Sequence, residues 1–189
     1  CYRRYHTAMM RTVICGELTD AMAQAQERMK FALDEVHKQV QPGLTVSDVD
    51  NLVRNIITDN MVGASLITRS GYSIGIAFPP SWDEGYIVSL KQGDSQVLRE
   101  GMTFHILPWM WGVEGDKTVG ISDTIHVTAD GCESFFTLAR DFVVKPASGK
   151  AAGSETSPGA APARSAKANG KAHRKDHPKD QGAIHAESD

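Results

Sequence analysis

The sequence predicts an α+β domain over residues 1–145, an antiparallel curved sheet with helices on one face, and a disordered tail over 146–189. Three observations carry this reading. Apolar residues recur every three or four positions from Thr19 to Ile57, the period of amphipathic helices. Beyond Gly63 the period drops to two, in short runs separated by Gly, Pro and Asp, as in strands joined by turns. After Lys145 the composition changes: residues 146–189 hold 11 Ala and one large aliphatic, Ile184, among Gly, Ser, Pro, Lys, His and Asp. Such a stretch buries too little apolar surface to offset its ordering entropy.

The elements follow in order. Residues 11–15 (RTVIC) read as a strand ended by Gly16. A long helix follows, capped by Thr19 or Asp20, with Met22, Ala25, Met29, Leu33, Val36 and Val40 on its buried face. Pro42-Gly43 stops it. A second helix opens near Thr45, where Asp48 three residues on makes a capping box, and buries Val46, Val49, Leu52, Val53, Ile56 and Ile57. Strands are expected near 72–78, 86–90, 102–107, 119–128 and 141–144. The helix pair is expected to cover one face of the sheet they form.

Composition narrows the function. The chain has 189 residues, 41% hydrophobic and 23% charged, with a formal charge of -3 and a pI near 6.2. That balance does not suggest a nucleic-acid partner. No apolar run approaches the roughly 18 residues that would span a bilayer, and no signal peptide is visible, so no membrane partner is expected. Cys1, Cys15 and Cys132, odd in number and far apart, form neither a disulfide framework nor a zinc pattern. Free thiols point to a reducing, cytoplasmic location. The chain opens on Cys1 rather than Met and reads as a fragment whose N-terminus lies upstream, inactive when expressed alone. The tail segment KAHRKDHPK (171–179) could touch an acidic surface or a nucleic acid, or simply be solvated.

Several catalytic signatures are missing: there is no Gly-rich phosphate loop, no G-x-S-x-G elbow and no H-E-x-x-H pair. The body histidines are His6, His37, His105 and His126; His105 falls within a predicted strand. The segment FPPSWDE (78–84) is denser in chemistry, with Trp82 beside Asp83 and Glu84, and PWMW (108–111) adds Trp109 and Trp111. Aromatic faces beside carboxylates suit a small flat organic cation. Turn chemistry with ordinary aromatic packing is the alternative.

The order of segments adds to this. R-T-V-x-x-G at 11–16 is followed by the two helices, then G-Y-S-I-G at 71–75, G-M-T-F-H-I-L-P at 101–108 and S-D-T-I-H-V-T-A-D-G at 122–131. As an ordered set these resemble the catalytic domain of the pita-bread family, which includes methionine aminopeptidases, Xaa-Pro peptidases and creatinase. The resemblance covers residues 1–145. Where the family's peptidases carry metal ligands, this chain has Ala8, Tyr72, Leu107 and Ser122; a further ligand would lie upstream of Cys1, and the family's proton-moving histidine falls at or beside Pro79. The resemblance therefore implies no metal and no cofactor. C-Y-R-R-Y-H (1–6), G-Y-x-I-G-I-x-x-P-P-x-W (71–82) and G-M-T-F-H (101–105) are similar to the metal-free ectoine hydrolases of the family.

That similarity implies a small-molecule substrate, ectoine or a related amidine or guanidino compound, opened at a C–N bond, and a homodimer in the full-length parent. The roles it suggests begin with Glu84 or Asp83 on the amidinium, Glu84 also serving as base or nucleophile. Tyr72 supplies a hydrogen bond, and His105 passes a proton from a pKa near neutrality. Trp82, Trp109 and Phe78 box the ring, and Arg3 or Arg4 takes the substrate carboxylate. A principal carboxylate upstream of Cys1 would leave Glu84 a turn residue. An Xaa-Pro peptidase or creatinase-like hydrolase, and a non-catalytic pita-bread module that binds a partner, stay open as other readings.

Overall fold

The helical period of the first part of the chain is realised as α1 (Asp20–Gln39) and α2 (Val46–Thr58). Thr19 caps α1, its hydroxyl accepting from the Met22 N–H at 3.3 Å. α2 opens on a complete capping box: the Thr45 hydroxyl accepts from the Asp48 N–H, and the Asp48 carboxylate accepts from the Thr45 N–H at 2.8 Å. The apolar stripes are the core. Met22, Ala25, Met29, Leu33, Val36 and Val40 are buried, as are Val46, Val49, Val53 and Ile57; Leu52 and Ile56 pack at its edge.

Asp50 breaks the apolar pattern of α2. Its fully buried carboxylate accepts from Arg54 Nε at 2.8 Å, Arg54 Nη2 at 3.1 Å and the Ser70 N–H at 3.0 Å. Arg54 also donates to the carbonyls of Leu66 and Thr68, both at 2.8 Å. A buried charge persists when it is paired and fully hydrogen-bonded. Here the pair ties α2 to residues 66–70, which lead into the functional site.

The computed structural model describes residues 1–59 and 62–146, so the tail expected over 146–189 lies, from residue 147 on, outside the described residues. Among the described residues there are nine strands: β1 (Val13–Cys15), β2 (Gly71–Ser73), β3 (Ser89–Leu90), β4 (Thr103–Ile106), β5 (Trp109–Val113), β6 (Lys117–Gly120), β7 (Asp123–Val127), β8 (Cys132–Ser134) and β9 (Val143–Lys145). The central antiparallel sheet has the order β3-β2-β4-β7-β8. β5 and β6 form a separate antiparallel hairpin, and β1 pairs in parallel with β9. Among the described residues no helix is long and apolar enough to cross a membrane.

Several details differ from the sequence reading, among them β8, which it did not expect, and the run at 72–78, of which only β2 is a strand. The run at 119–128 is divided between β6 and β7, which belong to different sheets. β5 occupies the PWMW segment, and its register shifts between Trp111 and Val113, which blurs the alternation expected of a strand. The parallel β1–β9 pair joins opposite ends of the described chain, a contact that local periodicity does not encode.

The central sheet has two chemically distinct faces. Phe104, Ile106, Ile125 and Val127 join the buried cluster that includes the helix stripes. On the other face Tyr72, His105 and Thr124 stand side by side across β2, β4 and β7. Gly71 permits β2 to approach β4, since a Cβ there would lie 2.4 Å from the His105 carbonyl oxygen.

Candidate functional site

The polar row on β2, β4 and β7 borders a cleft of about 550 Å³, with Ala8, Leu107, Trp82 and Trp109 among its lining residues. His105 is its centre. The imidazole is 4% exposed, with Nδ1 2.8 Å from the Tyr72 hydroxyl and Nε2 2.7 Å from the Ser122 hydroxyl. Burial pushes its pKa down to about 4, against an opposing pull from Asp123; the charge of Arg69 lowers it further. Burial likewise pushes the Tyr72 hydroxyl up to about 12, with Asp83 adding to the rise and Arg69 opposing it.

At neutral pH all three members of this chain are uncharged. A neutral imidazole donates from one nitrogen and accepts at the other. In one tautomer Nδ1–H donates to Tyr72 while Ser122 O–H donates to Nε2; the other tautomer reverses both bonds. A proton entering at one hydroxyl can thus leave at the other without a lasting charge on the ring. Burial thus takes this ring well below the near-neutral value of an unperturbed histidine.

Aromatic rings enclose the chain. Trp82 meets Tyr72 edge-on at 6.1 Å and tilts over His105 at 6.1 Å. Trp109 lies against Trp111 at 5.4 Å. The Arg69 guanidinium sits 4.4 Å from the centroid of the Tyr72 ring, donates to Ser89 Oγ at 2.9 Å and lies 3.6 Å from an Asp83 carboxylate oxygen.

The structure brings together part of the predicted set. Tyr72, His105, Trp82 and Trp109 share the cleft, and Asp83 reaches it through Arg69. Glu84 does not line it. The Glu84 N–H donates to the Ser73 carbonyl and the Ser73 hydroxyl donates to the Glu84 carbonyl, which docks Glu84 into a second pocket of about 290 Å³ with Met102, Thr103 and Phe104. Phe78 is 57% exposed and stacks under Arg4 at 4.8 Å, outside the cleft. Arg3 lies over Tyr2 at 5.4 Å. Tyr2 and Tyr5 exchange backbone hydrogen bonds, and Arg3 and Arg4 take positive φ at the tip of that tight turn, so neither lines the cleft. The cleft's arginine is Arg69, which the sequence reading missed. It sits two residues before the G-Y-S-I-G segment on which that reading centred.

Four further positions converge here. Ala8 and Leu107 line the cleft, while Tyr72 and Ser122 hold the His105 ring. These are the positions at which the resemblance places metal ligands. Ala8 and Leu107 offer no donor atom, Tyr72 is held protonated, and His105 spends both nitrogens on hydroxyls. Among the described residues no group of three or more His, Cys, Asp or Glu could hold a metal ion. The donor set present here does not fit a metal centre.

Next to the cleft the backbone is clasped by charge. Asp123, 1% exposed, pairs with Arg11 at 2.9 Å and with Arg140 at 2.7 Å. Arg11 also donates to the carbonyls of Met10 and Ser122, and Arg140 reaches Asp34 on α1 at 2.7 Å. The Thr124 hydroxyl donates to the Ala8 carbonyl at 2.8 Å and accepts its N–H at 2.9 Å, which fixes Ala8 at the cleft wall.

A sequence profile described as metallopeptidase family M24 matches residues 1–129. The ectoine hydrolase of Halomonas elongata is 33% identical over 144 residues, covering 76% of this chain and 35% of that protein. A Xaa-Pro dipeptidase of Lactobacillus delbrueckii subsp. lactis is 34% identical over 145 residues, covering 75% of this chain and 37% of its own length. The chain thus spans about a third of the length of these curated relatives. Among solved structures, the prolidase from Pyrococcus horikoshii aligns with a TM-score of 0.63 at 26% identity, over 75% of this chain and 39% of its own. The Xaa-Pro dipeptidase from Bacillus anthracis aligns with a TM-score of 0.64 at 25% identity, over 76% and 39% respectively. The arrangement of helices and sheet is the pita-bread fold, and the chain belongs to metallopeptidase family M24.

Proposed function

We propose that the protein is a metal-independent hydrolase that opens the cyclic amidine of ectoine to an N-acetyl-diaminobutyrate. One observation carries this reading. The family's metal-ligand positions converge on one cleft, and there they hold Ala8, Leu107 and an uncharged Tyr72–His105–Ser122 chain under a tryptophan. A peptide carbonyl needs a strong electrophilic aid, which metallopeptidases take from the metal. A cyclic amidinium is already electrophilic at the carbon between its two nitrogens. Water adds its oxygen to that carbon and gives up a proton; one ring C–N bond then breaks as the new hydroxyl loses its proton and becomes the acetyl carbonyl, and the departing nitrogen takes a proton. A neutral hydroxyl–imidazole–hydroxyl chain suits both transfers. The faces of Trp82 and Trp109 suit the flat cation.

The ectoine hydrolase of Halomonas elongata and the Xaa-Pro dipeptidases are similar to this chain to nearly the same degree, so the substrate is tested directly. The protein, in its full genomic length, is incubated with ectoine and separately with a Xaa-Pro dipeptide, and both are followed by proton NMR. The proposal expects the ectoine ring signals to give way to those of an N-acetylated diamino acid, with the dipeptide intact. Cleavage of the dipeptide with ectoine untouched would replace the proposal with a peptidase.

A further inference from the structure

We infer that Arg69 is the specificity-determining residue of the cleft and takes the carboxylate of the substrate. The inference deepens the proposed function and rests on it for the identity of the ligand, though not for its charge. Arg69 is the one charged side chain among the described residues lining the cleft. An anionic group entering that space has no other cation to meet there.

The guanidinium is held ready for such a partner. One face lies on the Tyr72 ring at 4.4 Å. The guanidinium also occupies the space beside Gly85, where a Cβ would fall 2.0 Å from Nη1 and would displace the end of the arginine side chain. The Asp83 side chain accepts from the Gly85 N–H at 2.9 Å and fixes that loop against the arginine. The backbone on either side is pinned too, Ser70 N–H to Asp50 and the Thr68 carbonyl to Arg54. The five donors are far from spent. Nη1 bonds Ser89 at 2.9 Å, and Asp83 forms an ion pair with Nη2 at 3.6 Å, longer than a hydrogen bond, so N–H groups stay open for a further anion. A preorganised planar fork with free N–H groups is the usual partner of a carboxylate.

The spacing then limits the ligand. The guanidinium is 4.4 Å from the Tyr72 ring, whose centroid is 5.1 Å from that of His105. The guanidinium therefore lies no more than about 9.5 Å from the His105 ring, a span that a compact ligand with its carboxylate on Arg69 can bridge. The substrate class is a compact molecule with a carboxylate on one side and a planar reactive carbon on the other. A bare cyclic amidine, which offers Arg69 no anionic group, is disfavoured.

The test measures binding to the full-length protein by calorimetry with three ligands: ectoine, the same methylated cyclic amidine without its carboxylate, and a Xaa-Pro dipeptide. The wild-type protein is expected to bind ectoine at least about tenfold more tightly than the decarboxylated ring, the scale of a charge-assisted hydrogen bond. Arg69→Met is expected to weaken ectoine by about tenfold to a hundredfold and the decarboxylated ring by less than threefold. Arg69→Lys, which keeps the charge and loses the fork, is expected to restore only part of the loss. Equal weakening of both rings, or no preference in the wild-type protein, would overturn the inference. If ectoine is not bound but the dipeptide is, and Arg69→Met abolishes that binding, Arg69 is the carboxylate reader and the ectoine reading fails instead. If no carboxylate ligand depends on Arg69, the inference fails whatever the enzyme turns over.

Discussion

The two faces of the central sheet use the same strands to opposite ends. Toward the helices, Phe104, Ile106 and Ile125 are sealed into the core, and the charged group between them and the chain ends, Asp123, is neutralised by two arginines. Toward the cleft, Tyr72, His105 and Ser122 are just as buried, yet they carry no charge and bond chiefly to one another. The division runs residue by residue along 122–124: Ser122 serves the cleft, Asp123 the clasp, and Thr124 the cleft wall at Ala8. The contrast teaches where to look for change within a family fold. Groups that fasten the backbone are those whose removal leaves a buried charge. Groups in the cleft bond chiefly to one another and carry no charge, so their exchange strands no ion in the core.

The comparison breaks most visibly at the clasp. Asp123→Ala leaves Arg11 and Arg140 facing each other beside the core, and chemical denaturation should show a loss of about 3–5 kcal/mol. A loss below about 1 kcal/mol would mean that the clasp is not what holds this face.

The cleft responds to pH instead. The folded pKa of His105, near 4, lies below its ordinary value of 6.5, so between those values the unfolded chain binds the proton more readily. Stability from this group is intact above pH 6.5 and falls as pH drops toward 4, by about 3 kcal/mol in total. Denaturation series at several pH values should show that fall in the wild type and lose most of it in His105→Gln.

Trp82 sharpens the contrast further. It is 45% exposed, so Trp82→Ala should shift stability by less than about 1 kcal/mol while raising KM for ectoine roughly tenfold, the scale of a lost cation–π contact. The smallest effect belongs to the helix layer. Thr45→Ala removes one half of the α2 capping box and should cost about 1 kcal/mol in thermal or chemical unfolding, with kcat/KM unchanged.

Much of the helical layer was legible in the sequence, because period and caps are local. The stripes of α1 and α2, the Thr19 cap and the Thr45–Asp48 box all stand where the residues place them. The cleft was legible in half. Tyr72, Trp82, His105 and Trp109 meet, but Glu84, Phe78 and Arg3 do not join them. Glu84 follows Trp82 by two residues, yet its backbone bonds to Ser73 send it to another pocket; adjacency in a turn does not decide which face a side chain joins. Arg69 and the bonding role of Ser122 were not legible, because they depend on cross-strand register and on the empty space at Gly85. The buried Asp50 was missed for a similar reason: its partners include Ser70, a contact between a helix and a distant loop.

The central claim is that this cleft hydrolyses a C–N bond without a metal. The most direct measurement is the rate of ectoine ring opening by the full-length protein after exhaustive chelation, and again after zinc or manganese is added back. The same rate is expected in all three conditions. Activity lost on chelation and restored by metal would contradict it, and would mean that a metal is held despite Ala8, Tyr72, Leu107 and Ser122.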